Sequence, residues 1–240
     1  MRIIKSGNVY QLTFMPRSFP VNVYIIEEKD SLTLIDSGLP YSYKGIIKAA
    51  KEIGKPIERI LLTHAHDDHI GALKKLKEVI PGIKLYISER ENRLLHGDVS
   101  LDAGEANLPI RGGVPKTLIV PADILLKDGD QIGSLLAMAA PGHTPGLMAF
   151  LDTRDNALIV GDALQVRGGV AVAGDIRILF PFPGLATWNK QLSIESARKL
   201  LSYKPSLLAC GHGRMIKEPE YAIKKAILNA KKKLDKRKDG

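Results

Sequence analysis

The stretch LLTHAHDDHIGAL, from Leu61 to Leu73, holds three of the six histidines of the chain within six positions, with two aspartates among them. The residues just before the histidines, RILL at Arg59 to Leu62, form an apolar run that predicts a buried strand. A helical period of apolar residues begins just after them, at Ile70. Polar residues between a strand and a helix are where α/β folds commonly place their chemistry. We therefore interpret the stretch as a functional loop rather than as a solvated turn.

The residue types in this loop predict a metal site. His64 and His66 are two positions apart, so an extended turn directs both imidazoles to the same side. Asp68 and His69 follow at the entrance of the predicted helix. Imidazoles that converge with a carboxylate would otherwise repel one another as cations or stay neutral without a function, so the pattern favours a divalent ion. Zinc prefers this set of ligands.

Three further candidate ligands lie at the ends of other predicted strands. His143 follows LLAMAA within AAPGHTPG, Asp162 ends the run NALIVGD, and His212 follows SLLACG. Neighbouring glycines let a side chain and a metal ion approach each of these turns closely. One such residue alone indicates little, because a lone histidine at a strand end is commonly structural. Together with the histidine loop, they predict one site with ligands from several strands.

The rest of the chain predicts strands and helices in alternation, in two similar halves. Apolar runs such as VNVYIIE, SLTLIDSG and LMAFLD predict strands. Helical periods are present in YKGIIKAAKEI, in TWNKQLSIESARKLL and after the histidine loop, where one helix is expected over Ile70 to Val79. Residues 97–116, which are rich in Gly and Pro, and residues 163–186 predict long loops. We expect two sheets packed face to face with helices outside, as one domain over residues 1–240.

Composition and length limit the class of protein. Of the 240 residues, 45% are hydrophobic and 25% charged, proportions typical of a globular protein with a large core. The single cysteine allows no internal disulfide. The first residues show no signal segment, and no window reaches the roughly 18 apolar residues of a membrane span. We expect a cytoplasmic protein with a small-molecule substrate and no membrane partner.

The formal net charge of +9 raises the question of a nucleic-acid partner. Most of this excess lies between Tyr221 and Gly240, where eight Lys or Arg stand against two Asp. Apolar residues recur in this segment with a helical period, at Ile223, Ile227, Ala230 and Leu234. We interpret the segment as a terminal helix that docks through one face and exposes its lysines to solvent. A nucleic-acid partner is therefore disfavoured.

On these motifs the chain resembles the metallo-β-lactamase superfamily along nearly its whole length. The HxHxDH motif of the family is present in full from His64 to His69, and His143, Asp162 and His212 resemble its later ligands. The resemblance implies an αββα sandwich of two mixed sheets, with the site at one edge between them. It implies a first metal ion on His64, His66 and His143, a second on Asp68, His69 and His212, and Asp162 as the bridge. Asp36 in LIDSG resembles the buried aspartate of the family that orients a ligand histidine.

The implied ligand set favours two zinc ions per chain, with iron or manganese as alternatives. Family members with a di-iron centre for oxygen chemistry usually carry a glutamate where this chain has His66. Cys210 lies two residues before His212, and we interpret it as a small residue that ends a buried strand rather than as a ligand. Two zinc ions make a bridging hydroxide available at neutral pH. We expect Asp68 to take part in catalysis by steering or carrying the proton.

Several functions remain open for such a site. The leading one is a hydrolase that uses the bridging hydroxide to cleave a small carboxylic ester, lactone or thioester, as in the lactonase and glyoxalase II branches of the family. The second is a phosphodiesterase or nuclease, for which the sequence offers no separate binding arm. The third is a mononuclear iron dioxygenase that acts on persulfides. The last is a binding module without catalysis, which an intact ligand set disfavours.

A basic residue and three aromatic ones lie in or just after residues 163–186: Arg177, Phe180, Phe182 and Trp188. We expect these side chains to form a wall for an anionic or acyl substrate. The aromatic rings would equally suit a role in anchoring the loop to the core. Because one fold supports many reactions, the sequence does not name the substrate.

Overall fold

The computed structural model describes residues 1–116, 118 and 120–236. Residues 237–240, at the end of the predicted basic segment, lie outside the described residues, as do residues 117 and 119. The helices are α1 (Ser42–Ile53), α2 (Asp67–Ile70), α3 (Leu73–Val79), α4 (Glu89–Leu95), α5 (Phe182–Leu185), α6 (Lys190–Ser202) and α7 (Glu220–Asp235). The strands of the first half are β1 (Arg2–Ser6), β2 (Val9–Phe14), β3 (Val21–Glu27), β4 (Leu32–Ile35), β5 (Ile57–Leu61), β6 (Lys84–Ser88) and β7 (Ile124–Leu126). The strands of the second half are β8 (Gln131–Ile132), β9 (Leu135–Ala139), β10 (Met148–Asp152), β11 (Ala157–Ile159), β12 (Leu164–Gln165), β13 (Ala171–Val172), β14 (Leu207–Ala209) and β15 (Ile216–Lys217).

The first sheet is built from the N-terminal half of the chain, in the order β1-β2-β3-β4-β5-β6-β7. Strands β1 to β4 pair antiparallel, and β4 to β7 pair parallel. Parallel neighbours need crossover connections, and α1, α3 and α4 lie in those connections. The carboxyl ends of β4 and β5 therefore meet at one edge of the sheet, where Asp36 and His64 follow them.

The second sheet has the order β15-β14-β11-β10-β9-β8. β11 pairs parallel with β14, and β10 pairs antiparallel with both β9 and β11. β9, β11 and β14 consequently run in the same direction, and their carboxyl ends lie at one edge. His143, Asp162 and His212 follow these three ends, so the sheet topology brings them together.

Alternation along the strands separates the core into layers. On β3, Ile25 packs toward the side of α1 and α3, while Ile26 packs between the sheets. On β10, Phe150 packs between the sheets, while Ala149 packs toward α6 and α7. Each sheet therefore buries both faces, one against the other sheet and one against helices. The predicted αββα sandwich is confirmed.

The single helix predicted over Ile70 to Val79 is wrong in one respect, because the chain divides there into α2 and α3. The carbonyl oxygen of His69 accepts hydrogen bonds from the backbone N–H groups of Ser37 and Gly38, at 2.7 and 3.1 Å, in place of an intrahelical partner. A Cβ on Gly71 would lie 2.8 Å from the carbonyl oxygen of Gly38. The connection after β4 therefore presses against the helix and interrupts it.

Residues 163–186, predicted as a loop, contain short elements. β12 and β13 form an antiparallel hairpin in which Leu164 pairs with Val172, and α5 follows. Elements of two to four residues are too short to show a period in the sequence. Among the residues that the structure describes, no helix has both the length and the apolar character needed to cross a membrane.

Candidate metal centre

The predicted ligands converge at the edge of the sandwich where the strand ends of both sheets meet. They form three groups whose donor atoms lie within 4.8 Å of one another: His64, His66 and His143; His64, His69 and Asp162; and Asp68, His69 and His212. The groups share His64 and His69, so they make one continuous cluster. Asp162 lies between the two outer groups. Its carboxylate oxygens are 3.3 Å from Nε2 of His212 and 3.7 Å from Nε2 of both His69 and His143.

Each histidine of the cluster has one ring nitrogen in contact with a neighbour outside the cluster. The contacts are His64 Nδ1 with Thr63 Oγ1 at 3.0 Å, His66 Nε2 with the Arg111 carbonyl at 2.8 Å, His69 Nδ1 with Asp36 Oδ2 at 2.8 Å, His143 Nδ1 with Thr187 Oγ1 at 3.2 Å, and His212 Nδ1 with the Pro20 carbonyl at 2.7 Å. Carbonyl and carboxylate oxygens accept hydrogen bonds, so at least three of these nitrogens carry the proton. The second nitrogens lie within the cluster, where Nδ1 of His66 and Nε2 of His143 are 3.1 Å apart, and are placed to bind a metal ion.

Buried polar atoms without hydrogen bonds mark the centre of the cluster. Among the described residues these include Nε2 of His64, Nε2 of His69 and Oδ1 of Asp162. Burying such atoms without a partner costs free energy, and a cation bound among them removes that cost. Nitrogen and carboxylate donors are the ligands that zinc and related divalent ions prefer. The residues present therefore fit a metal centre.

The electrostatics of the cluster favour the metal-binding forms of His64, His143 and Asp162. Burial and the neighbouring imidazoles lower the pKa of His64 well below its usual value and that of His143 to about 3, so both are neutral. Burial alone would raise the pKa of Asp162, but the charges of His212 and His69 hold it well below its usual range. His69 and His212 differ, because neighbouring carboxylates overcome the effect of burial: Asp68 and Asp36 raise the pKa of His69 to about 10, and Asp162 raises that of His212.

Asp36 holds the histidine loop in place through contacts of its carboxylate. Its carboxylate accepts hydrogen bonds from the backbone N–H and the hydroxyl of Thr63 and contacts Nδ1 of His69, each at 2.8 Å. Its backbone has φ of 61°, in the left-handed region that few residues other than glycine and asparagine adopt readily. The sharp turn directs the carboxylate of the strand end toward His69. This is the arrangement that the family resemblance implies for Asp36.

Glu91 is a buried residue that the sequence reasoning did not single out. Oε2 of Glu91 accepts a hydrogen bond from the backbone N–H of Ala65, and Oε1 accepts one from that of Gly146, both at 2.9 Å. Burial raises the pKa of this carboxyl to about 6. Glu91 thereby joins the loop of His64 and His66 to the loop after His143. The signal in the sequence is the motif Ser88-x-x-Glu91, which is typical of a helix start.

A cavity of about 370 Å³ opens onto the cluster. It is lined by the donor residues His66, Asp68, Asp162 and His212 and by apolar residues that include Phe19, Phe182 and Leu185. Gly112 and Gly113, in the predicted loop of residues 97–116, complete the wall. Gly112 has φ of 93°, and a Cβ on it would lie 2.3 Å from Nε2 of His66. Glycine is therefore required where this loop passes the ligand, and Phe19 and Gly112 carry no motif that would have indicated their place.

Of the residues predicted to contact the substrate, Phe182 lines the cavity, whereas Arg177, Phe180 and Trp188 have structural contacts. The guanidinium of Arg177 donates a hydrogen bond to the carbonyl of Val170 at 2.5 Å and lies 3.5 Å from the carboxylate of Asp175. Phe180 is buried beside His212, with ring centroids 5.0 Å apart. The indole of Trp188 donates to the carbonyl of Leu108 at 3.0 Å. The anchoring interpretation, which concerned the aromatic rings, agrees with the positions of Phe180 and Trp188, and Arg177 is likewise held by protein groups and does not line the cavity.

The remaining candidate, Cys210, lies outside the cluster. Cys210 is buried, and its backbone carbonyl accepts hydrogen bonds from Asn22 and Tyr24, at 2.8 and 2.6 Å. Burial raises the pKa of its thiol well above the usual value, and Cys210 belongs to none of the three donor groups of the described residues. The interpretation of Cys210 as the end of a buried strand agrees with its position.

Comparison with known proteins identifies the family. The model of the metallo-β-lactamase superfamily matches residues 16–212. The chain belongs to the metallo-β-lactamase superfamily. Its relatives include YobT of Bacillus subtilis (strain 168), 53% identical over 232 residues that cover 97% of this chain and 100% of YobT. A hydroxyacylglutathione hydrolase of Bartonella tribocorum is 32% identical over 201 residues, 83% of this chain and 65% of that protein.

The fold of the chain is also similar to the solved structure of TTHA1623 in a di-iron-bound form. The TM-score is 0.66 and the sequence identity 26%, over 88% of this chain and 96% of TTHA1623. The family and the fold are therefore those that the sequence predicted. Membership and the His/Asp cluster together indicate a centre for divalent metal ions in a hydrolase-like protein.

Proposed function

We propose that this protein is a hydrolase with two metal ions, mainly zinc, that cleaves a small carboxylic ester, lactone or thioester. One observation carries the proposal: the donor cluster opens into a cavity with an apolar wall, and no Lys or Arg is among the described residues that line it. When bound, the two ions would polarise the carbonyl oxygen of the substrate and make water a nucleophile at neutral pH.

The side chains of the cluster divide the remaining tasks. We assign His64, His66 and His143 to one ion and Asp68, His69 and His212 to the other, with Asp162 between them. Asp68 lines the cavity and is partly exposed, whereas the histidine ligands are buried. Its Oδ2 lies 3.4 Å from Nε2 of His212. Asp68 is thus the carboxylate that can carry a proton between the bond being cleaved and solvent.

A carbonyl substrate fits this cavity better than a polynucleotide does. A phosphodiester backbone is held by several Lys or Arg side chains. The basic residues of α7 lie on the helix that covers the outer face of the second sheet, and none of those that the structure describes lines the cavity. The relative named hydroxyacylglutathione hydrolase also supports an acyl group as substrate.

The test is the ratio of kcat/KM for a lactone or thioester to kcat/KM for a bis-aryl phosphodiester. We expect the carbonyl substrate to be preferred when the protein is loaded with zinc and again with manganese or cobalt. Asp162→Ala is the matched control, because it removes the carboxylate between the two groups and should lower both activities together. A preference for the phosphodiester under every metal would contradict the carbonyl assignment.

A further inference from the structure

The apolar wall of the cavity begins directly at the metal centre. The rings of Phe19, Phe180 and Phe182 pack on one another with centroids 5.1 to 5.3 Å apart. Phe19 and Phe180 also contact the ring of His212, at 5.4 and 5.0 Å. Phe182 and Leu185 line the cavity and are 52% and 53% exposed. An apolar group bound beside His212 would therefore cover side chains that are half open to water.

Two further apolar side chains lie on the same loop, outside the cavity. Ile178 is 95% exposed and Leu179 81% exposed, more than any other large hydrophobic residue that the structure describes. They form the tip of a turn that the Phe180 N–H closes on the Arg177 carbonyl at 3.0 Å. Exposed apolar side chains mark a binding site where they continue a larger apolar surface. The turn adjoins the aromatic cluster through Phe180.

The turn is held in place rather than free. Arg177 is fixed by its contacts with the Val170 carbonyl and Asp175. The guanidinium of Arg167 lies 5.5 Å from the centre of the Phe180 ring and donates to the carbonyls of Arg17 and Ser18. Both arginines near the turn are therefore engaged with protein groups. Neither lines the cavity, so an anionic portion of a substrate gains no cationic partner there.

We infer that the substrates are esters, lactones or thioesters with an apolar acyl chain, and that this chain extends from the metal centre along Phe182 and Leu185 to Ile178 and Leu179. The inference rests on the proposed function and narrows its substrate class. The wall stabilises the chain by removing apolar surface from water, and the effect grows with each methylene. A substrate whose binding depends on carboxylates, as with a glutathione thioester, gains nothing from this wall.

The test is a series of p-nitrophenyl esters from butanoate to octanoate, each below its critical micelle concentration. Rates are divided by those of hydroxide hydrolysis, which removes differences in intrinsic reactivity. We expect kcat/KM of the zinc-loaded protein to rise about two- to fourfold with each methylene, where fourfold corresponds to a fully buried methylene and twofold to a half-buried one. S-lactoylglutathione should be a poorer substrate than the octanoyl ester. Equal kcat/KM along the series would overturn the inference while leaving the proposed function in place.

A double variant, Ile178→Ser with Leu179→Ser, tests the outer part of the wall. Both side chains are exposed, so the variant should fold, and its octanoate to butanoate ratio should fall at least fivefold. Leu228→Ser, at an exposed position of α7, is the control and should keep the ratio of the unmodified chain.

The oligomeric state of each variant, from light scattering, separates a substrate wall from a contact between copies of this chain. A double variant with a changed oligomeric state and an unchanged ratio would overturn the inference. Failure to hydrolyse any ester with zinc, cobalt or manganese would overturn the proposed function, and the inference with it.

Discussion

At the scale of single residues, the order of the site depends on groups that hold the ligands rather than on the ligands alone. The carboxylate of Glu91 accepts hydrogen bonds from the backbone N–H groups of Ala65 and Gly146. These two residues belong to the loops that carry the histidines of the first donor group. Ser88 supports the same junction, since its hydroxyl donates to the Gly146 carbonyl at 2.7 Å. In a capping box, the glutamate would return to the backbone N–H of the capping serine. Here the carboxylate instead links two loops by accepting hydrogen bonds from both.

We predict that Glu91→Ala weakens zinc binding at least tenfold and lowers the melting temperature. The change leaves two buried N–H groups without an acceptor, each at a cost of about 1–3 kcal/mol. Competition with a chromophoric chelator gives the zinc affinity. Glu91→Gln retains an acceptor oxygen and should recover part of the loss, whereas Glu89→Gln, an exposed position on the same helix, should change neither quantity. Unchanged zinc affinity in Glu91→Ala would show that the contact serves stability alone.

At the scale of elements, α7 shows where a helical period is informative and where it is not. Ile223, Ile227 and Ala230 are buried, as the period predicted. The lysines from Lys231 to Lys233 are exposed, as expected, but the ammonium of Lys233 also forms an ion pair with the buried carboxylate of Asp175, which the period did not predict. Asp175 lies just after β13, and no spacing in the sequence relates it to α7. The ion pair therefore joins the C-terminal helix to the loop that carries α5.

We predict different effects for the three neighbouring lysines of α7. Lys231→Gln with Lys232→Gln should leave the melting temperature unchanged and ester turnover within a factor of about two. Exposed charges have little effect because they are screened over roughly 10 Å at 0.1 M salt. Lys233→Gln removes the ion pair to the buried carboxylate of Asp175 and should cost about 1 kcal/mol, discounted for the exposure of Lys233, which is roughly 2–4 °C in melting temperature. Thermal unfolding followed by circular dichroism measures both. Equal shifts would argue against the ion pair.

At the scale of the whole molecule, the metal centre joins the two sheets. His64 to His69 follow β5 of the first sheet, while His143, Asp162 and His212 follow strands of the second. An ion bound by ligands from both sheets binds the folded state and not the unfolded chain. Its binding free energy therefore adds to the stability of the sandwich.

We predict that chelation lowers the melting temperature by roughly 5–10 °C relative to protein with free zinc at a hundredfold excess over Kd, a difference of about 2.7 kcal/mol. Asp162→Ala should show a smaller shift, because it removes the carboxylate that lies between the two outer donor groups. Elemental analysis should give two ions per chain, mainly zinc. One iron ion without zinc would instead favour the dioxygenase.

The sequence by itself determined the parts of this protein that neighbours along the chain control. The spacing from His64 to His69 predicted a metal site, and the periods of apolar residues predicted the αββα layers that the structure has. Strand ends followed by His143, Asp162 and His212 were also visible, since each motif is local.

The tertiary structure alone decided the partners of those residues. Glu91, Phe19 and Gly112 reach the site from separate parts of the chain, and Asp175 meets Lys233 only after α7 has docked. Such contacts depend on the packing of one sheet on the other, which no local period specifies. Arg177 and Trp188 likewise lie on the predicted loop and its continuation, yet their hydrogen bonds to Val170 and Leu108 hold them in structural roles. The site is therefore predictable where its chemistry is local in sequence and not where its wall is assembled from distant segments.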